Sequence, residues 1–242
     1  MNDIDFRQYW RARESSMNRR EDAAYYARKA SEHVRLMDLF GPREAVVDFG
    51  CGAGELLAPF HAAYRTGIAA IDFSPSLLER ARAALAGTGV EFVEAEAAEY
   101  ARKATAPRWM SCGAVNQYSD ESALASFVES FAANPHASQM FLFDTIDPAR
   151  LTLLRGRIVE SYVKPGGLRG AGLRQNLRAL AYGWRGWRLA RDRRSVVPLG
   201  STGYAVKLAF WRDACRRASL EVEFASSAEF EYRYHVVIRK RQ

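Results

Sequence analysis

No apolar run in the 242-residue chain approaches eighteen residues, so no membrane-spanning helix is expected. The first residues, Met1-Asn2-Asp3-Ile4-Asp5, carry acids where a secretory signal would place an apolar stretch. Three cysteines, Cys51, Cys112 and Cys215, stand far apart in no zinc or redox spacing. They are read as reduced core residues of a cytoplasmic protein, and neither a metal site nor a disulfide framework is expected. Histidine is scarce: His33, His61, His136 and His235 are the four available to titrate near neutral pH. There is no internal repeat and no low-complexity segment. A hydrophobic content of 48% with 26% charged residues is that of a globular chain, long enough for one α/β domain with an elaboration.

Acids are also scarce in one place. Between Arg150 and Arg194 there are twelve basic residues and two acids, Glu160 and Asp192, a local charge of +10 within a net charge of +7; the rest of the chain is therefore about −3. The basic character belongs to one segment, which points to a local acidic partner rather than general stickiness.

What the chain does have is Val46-Val47-Asp48-Phe49-Gly50-Cys51-Gly52-Ala53-Gly54-Glu55, an apolar run ending in three alternate glycines and followed by helix-compatible residues. A buried strand turning sharply into a helix needs residues that tolerate positive φ and let a ligand approach the backbone. Asp72 closes the next apolar run, about twenty residues further on, where a carboxylate can accept two ribose hydroxyls. The dinucleotide fingerprint is G-x-G-x-x-G, whose helix start faces a pyrophosphate. Here the spacing is G-x-G-x-G, and Glu55 at the helix start would repel a pyrophosphate. Acids before the first glycine and after the last suit a ligand with an ammonium and a sulfonium.

Strands and helices alternate around this motif. Residues 6–40 read as a polar helix stopped by Gly41-Pro42. Strands are expected at 45–49, 68–72, 90–95, about 109–115 and 139–144, with helices at about 54–65, at 75–86 after an N-cap at Ser74, at about 97–104, and after Ser119-Asp120-Glu121. The alternation stops after Asp147 for about 55 residues. It resumes as a helix at 205–218 and strands at 220–226 and 232–238.

The segment from Asp48 to Gly54 resembles the first motif of the class I S-adenosylmethionine-dependent methyltransferases, Asp-x-Gly-x-Gly-x-Gly, at all four fixed positions. The resemblance covers roughly residues 44–148 and 203–240. It implies a Rossmann-like α/β fold, a seven-stranded sheet in the order 3-2-1-4-5-7-6 with strand seven antiparallel and helices on both faces. Residues 1–43 would form an N-terminal helical cover and residues 149–202 a basic helical insertion after strand five, all within one domain of residues 1–242. The implied cofactor is S-adenosylmethionine. Asp48, Gly50, Cys51 and Gly52 would face its methionine half, Asp72 its ribose, and Phe73, Glu96 and Ala97 its adenine, while Cys112 and Gly113 would close the wall after strand four.

The loop Asn116-Gln117-Tyr118 looks like that of the small-molecule branch, which follows strand four with Gly-x-Leu-Gln-Tyr, and would face the acceptor. The Asn-Pro-Pro-Tyr motif is absent, which argues against a base-flipping nucleic-acid enzyme. Methyl transfer from a sulfonium needs alignment more than acid–base help. For an acceptor hydroxyl, Asp144 and Asp147 at the tip of strand five are the expected base or anchor, with His33 on the N-terminal helix as the histidine candidate. Tyr9, Trp10, Tyr25 and Tyr26 could lid a sulfonium.

In the insertion, Leu173, Leu177, Leu180, Trp184 and Trp187 follow one helical face, flanked by Arg174, Arg178, Arg185 and Arg188. That pattern suits a lid whose arginines, Arg174 and Arg178 among them, grip an acidic acceptor; it also suits a peripheral helix on an anionic membrane. The expected activity is O-methylation of a small-molecule or glycan-type acceptor, anionic and phosphate- or lipid-linked in one version. The alternatives are an RNA methyltransferase using the basic segment and a non-catalytic protein that keeps the cofactor-binding fold.

Overall fold

A computed structural model of the protein describes residues 6–11, 23–150, 187–188, 191–199 and 202–241. Two short helical segments lead, Phe6–Arg11 (α1) and Ala23–Asp38 (α2). Strand Val46–Phe49 (β1) then passes to Leu57–Tyr64 (α3), Ile68–Asp72 (β2), Pro75–Ala84 (α4), Glu91–Glu94 (β3) and Ala97–Ala101 (α5). Arg108–Cys112 (β4), Val115–Tyr118 (α6), Glu121–Ala133 (α7) and Gln139–Ile146 (β5) complete the alternation. After the insertion come Val196–Pro198 (β6), Tyr204–Val206 (β7), Leu208–Arg217 (α8), Leu220–Ser226 (β8) and Arg233–Lys240 (β9).

The central strands are apolar on both faces, and that decides the layering. In β5, Met140 and Leu142 join one buried cluster while Phe141 and Phe143 join another, the period-two alternation of a strand. A sheet apolar on both sides must be covered on both sides. Val34 and Met37 of α2, Phe60 and Tyr64 of α3 and Leu78 of α4 cover the Phe141 face. Phe127 and Phe131 of α7 and Phe210 and Trp211 of α8 cover the other.

The sheet order is β3-β2-β1-β4-β5-β9-β8. Pairs among β1 to β5 are parallel, and β9 runs antiparallel to both β5 and β8. With β6 and β7 set aside as a separate two-stranded ribbon, this is the expected order with its last strand reversed.

Several local expectations are corrected. Residues 204–206 are strand β7 rather than the start of a helix, because they pair with β6, and α8 begins at Leu208. Strand β4 ends at Cys112, and residues 115–118 form α6. Ser74 stands at the N-cap of α4 without capping it, since its Oγ meets Ser76 Oγ (3.2 Å) and donates to the Trp10 carbonyl (3.4 Å). Asp120 does cap α7, its Oδ1 accepting from the Ala123 N–H at 2.8 Å. Residues 151–186 lie outside the described residues, and with them Leu173, Arg174, Leu177, Arg178, Leu180, Trp184 and Arg185. Among the described residues, no helix is long and apolar enough to cross a membrane.

Candidate active site

The carboxyl ends of the parallel strands enclose a cavity of about 620 Å³, roofed by α1 and α2. Its floor begins at the turn after β1. Gly50 has φ +82°, and a Cβ there would sit 2.3 Å from the Ala114 Cβ of the loop after β4. Only glycine lets these two strand-end loops touch. The turn is pinned to β2, because the Gly50 and Cys51 N–H groups both donate to the Ile71 carbonyl, at 2.7 and 3.0 Å. Asp72 braces it further: its Oδ2 accepts from the Gly52 N–H and its Oδ1 from the Ser74 N–H, both at 2.9 Å. Each carboxylate oxygen keeps a lone pair for a ligand hydroxyl.

This end of the cavity is acidic. Asp48, Glu55, Asp72 and Glu96 all line it. Burial, with Asp72 adding to it, pushes the Asp48 carboxyl up to about 7. Burial also raises Asp72, partly offset by the backbone donors of Ser74 and Gly52. Among the described residues no cation stands between these two buried carboxyls, an arrangement that can receive a cationic group.

The other end is basic, and a β-bulge makes it so. The pairing of β5 with β9 shifts between Leu142 and Thr145, and Asp144 adopts φ +58°. The extra residue turns Asp144 toward α2 on the same side as Phe143, and its N–H donates to His235 Nδ1 at 3.1 Å. There Asp144 forms a buried ion pair with Lys29, and Arg233 Nη1 lies 3.9 Å from the same Oδ2. Burial would raise the Asp144 carboxyl, but Lys29 and Arg233 hold it well below the usual range. Burial would lower the Lys29 ammonium, yet Cys112, Asp144 and Tyr25 around it keep it protonated. Lys29 and Arg233 line the cavity; Asp144 stands behind them.

Of the residues singled out in the sequence, Asp48, Gly50, Cys51, Gly52, Asp72, Phe73, Glu96, Ala97, Cys112 and Gly113 all lie on the cavity wall, as do Gln117, Tyr118, Tyr9, Trp10, Tyr25 and Tyr26. Four do not. Asn116 is buried behind the wall, donating to the Phe143 carbonyl (2.9 Å) and Thr145 Oγ1 (2.7 Å), and so fastens α6 to β5. Asp144 is withdrawn by the bulge. Asp147 closes the end of β5, its Oδ1 accepting from the Ala149 N–H at 2.9 Å and its Oδ2 3.5 Å from Arg150. His33 is fully buried and stacked on Phe143 with ring centroids 3.8 Å apart, and burial holds it well below its usual pKa. Arg174 and Arg178 fall outside the described residues.

Lys29 and Arg233 escaped the sequence reading. A lysine spaced among Tyr25, Tyr26, Ala30 and His33 on the buried face of α2 was the available signal. The ribbon β6–β7 escaped too. Its Gly203 has φ +92°, and a Cβ there would lie 2.2 Å from the Gln117 carbonyl oxygen. The Gln117 amide donates to the Thr202 carbonyl at 2.8 Å, so the ribbon docks on α6 and carries Tyr204 to the wall. His33, Cys112 and Asp144 bring potential ligand atoms within 4.8 Å of one another, but the Lys29 ammonium is the cation already seated on Asp144.

Residues 46–133 match the family described as Methyltransferase domain. No curated protein matches the chain. Among solved structures, the chain is similar to an O-methyltransferase family protein from Burkholderia thailandensis (14% identity, 91% of this chain and 58% of that one, TM-score 0.56). It is similar also to magnesium protoporphyrin IX methyltransferase from Synechocystis PCC 6803 with bound S-adenosylmethionine (13%, 98% and 92%, 0.57). A third is an S-adenosylmethionine-dependent methyltransferase from Clostridium acetobutylicum (10%, 92% and 94%, 0.58). The chain thus spans 58% of the Burkholderia protein's length and over nine-tenths of the other two. At these identities the likeness is one of fold.

Proposed function

We propose that the chain is a class I S-adenosylmethionine-dependent methyltransferase that transfers a methyl group to an oxygen of a small-molecule or glycan-type acceptor of anionic character, a reading supported by the match of residues 46–133 to a methyltransferase domain and by the fold. The observation that carries the reading is the polarity of the cavity: carboxylates at one end, Lys29 and Arg233 at the other.

The acidic end fits the cofactor. Bound there, S-adenosylmethionine supplies a methyl group on a good leaving group, the sulfonium. Asp48, raised to about 7 for want of a cation, suits an ammonium. Asp72 keeps lone pairs for ribose hydroxyls. Gly50 lets the loops after β1 and β4 close on each other at the cavity floor.

A cavity of about 620 Å³ is of the size that takes a nucleoside cofactor with a small acceptor rather than a polymer. Gln117, Tyr118 and Tyr204 line it beyond Gly113, and orient an acceptor by hydrogen bonds and ring contact. The segment from Arg150 to Arg194, Arg174 and Arg178 included, adds positive charge that favours acidic, phosphate-bearing or lipid-linked acceptors, at an anionic membrane surface in the last case.

The test is transfer of label from methyl-labelled S-adenosylmethionine into a fractionated cell extract. Label is expected in small acidic molecules. Label confined to RNA, with transfer falling steeply as salt rises, would favour the nucleic-acid alternative and overturn this reading.

A further inference from the structure

We propose that the atom methylated is a carboxylate oxygen, seated against Lys29 and Arg233, so that the product is a methyl ester; this rests on the methyltransferase reading above. The first observation is an absence of bases. Among the described residues at the α2–β9 end of the cavity, the one carboxylate on the wall is exposed Asp120, and its Oδ1 is engaged in capping α7. His33 is not on the wall. Lys29 stays protonated, and burial pushes the Cys112 thiol up to about 12. A neutral hydroxyl docked here finds no group among the described residues to take its proton, whereas an oxygen that arrives ionised needs none.

The second observation is the supply of donors. Lys29 is buried, with 6% of its surface exposed, and among the described residues its ammonium pairs with Asp144 alone. Arg233 makes a 3.4 Å contact to the Asp144 carbonyl, a 3.9 Å approach to its carboxylate and a bond to the neighbouring Tyr232 side chain, and its guanidinium lies over the Phe230 and Tyr232 rings at 5.1 and 5.5 Å. Two cations therefore share one carboxylate behind the wall, and both line the cavity. A second carboxylate, from the acceptor, completes the set. Arg233 Nη1 stands 3.9 Å from where a Cβ on Gly113 would be, which places the guanidinium against the loop after β4.

The third observation sets the body of the acceptor. Phe6 and Trp10 pack on Tyr118, with centroids 5.2 and 5.1 Å apart, and Phe6 lies 6.1 Å from Tyr204. All four rings are on the wall. A flat, apolar acid would lie against this cluster of rings on the wall.

In the step, one carboxylate oxygen is held by the cations and the other attacks the methyl carbon. The new bond is O–CH3, the bond broken is CH3–S, and its electron pair leaves with sulfur. No proton moves. One negative and one positive charge are annihilated, a change that a dry, low-dielectric cavity favours.

The test pairs a binding probe with a product assay. Calorimetry on the protein, with and without S-adenosylhomocysteine, compares benzoate, its neutral analogue benzamide, and phenylphosphonate. Benzoate is expected to bind about ten- to a hundredfold more tightly than benzamide, as hydrogen bonds to a charged group imply. The preference should shrink in Lys29→Met and Arg233→Met and return in part in Arg233→Lys, with S-adenosylhomocysteine affinity unchanged in all three. The labelled product from the extract should release its methyl as methanol in mild alkali. Equal binding of benzoate and benzamide, tighter phenylphosphonate, or an alkali-stable methyl group each overturn the inference. If S-adenosylhomocysteine fails to bind, the methyltransferase reading falls and the methyl ester with it; failure of this inference alone is told apart by S-adenosylhomocysteine binding while benzoate gains nothing over benzamide.

Discussion

The two ends of the cavity differ in charge and in how the chain assembles them. The acidic end is drawn from consecutive strand-to-helix turns: Asp48 and Gly50 after β1, Asp72 after β2, Glu96 after β3. The basic end joins Lys29 of α2, Asp144 at the bulge in β5 and Arg233 of β9, residues far apart in sequence. One end is local structure repeated, and among the described residues its buried carboxyls, Asp48 and Asp72, have no cation beside them. The other is a tertiary construction that must carry its own counter-ion to exist without a ligand. The acidic end should therefore respond to substitution mainly in binding, and the basic end mainly in stability.

The largest expected effect lies at the basic end. Asp144→Asn would leave Lys29 and Arg233 buried side by side without their shared carboxylate, and should destabilise the fold by about 3–5 kcal/mol in urea unfolding. Because Asp144 is held below the usual carboxylate range in the native state, its contribution is complete at neutral pH and is lost as pH falls through and below about 3.9. A loss under about 1 kcal/mol would mean that the cations are solvated in solution, and the contrast between the two ends would collapse.

At the acidic end, Asp72→Ala should cost about 1.5–3 kcal/mol of S-adenosylhomocysteine affinity, read by calorimetry, since a charged acceptor is lost. NAD should not bind. A smaller effect on affinity than on stability would show that Asp72 serves chiefly to brace Gly52 and Ser74, the role its two 2.9 Å hydrogen bonds already perform.

A third expectation sharpens the same end through pH. The Asp48 carboxyl sits at about 7 in the free protein, and an ammonium beside it would favour the ionised form. Binding should thus release a proton, and S-adenosylhomocysteine affinity should rise by up to about tenfold per pH unit below pH 7 and level off above it. Asp48→Asn should flatten the profile. A profile that stays as steep in the variant would move the titrating group elsewhere.

The same contrast explains what could be read from the sequence. The glycine turn, Asp48 and Asp72 follow from short-range patterns, an apolar run, a turn and a carboxylate at the next strand tip, whereas the place of Glu96 and the order of the sheet come from the family resemblance. Strand-tip reasoning failed at Asp144 because it assumes an unbroken period of two, and one bulged residue swung the side chain from the tip to beneath α2. Arg233 had no local signature, and that of Lys29 is ambiguous: a lysine on an apolar helix face looks like an error until its buried partner, 115 residues on, is known. The ribbon β6–β7 hid because three-residue strands carry too little periodicity to separate from the helix that follows.

The smallest effect is expected at His33, between the two ends and part of neither. Its ring is sandwiched on Phe143 at 3.8 Å, both ring nitrogens are buried without a hydrogen-bond partner, and His235 lies edge-on at 5.7 Å. Such a residue contributes its flat surface and nothing of its chemistry, so His33→Phe should change stability at pH 8 by less than about 1 kcal/mol, the loss of unsatisfied polar atoms offsetting the tighter fit. The pH dependence has a definite sign. Burial, with help from Lys29 and His235, keeps native His33 neutral, while the unfolded chain takes up a proton below about 6.5. Wild-type stability is therefore drained as pH falls below that value, and the variant escapes the drain, gaining roughly 2 kcal/mol relative to wild type by pH 5. Urea titrations at pH 8 and pH 5 measure both quantities on the same two proteins. Methyl transfer to the labelled acceptor should survive the substitution, because a buried ring off the wall cannot take a proton from a molecule in the cavity. Loss of transfer with stability and cofactor affinity intact would make His33 the base after all, and would remove the reason for an acceptor that arrives already ionised.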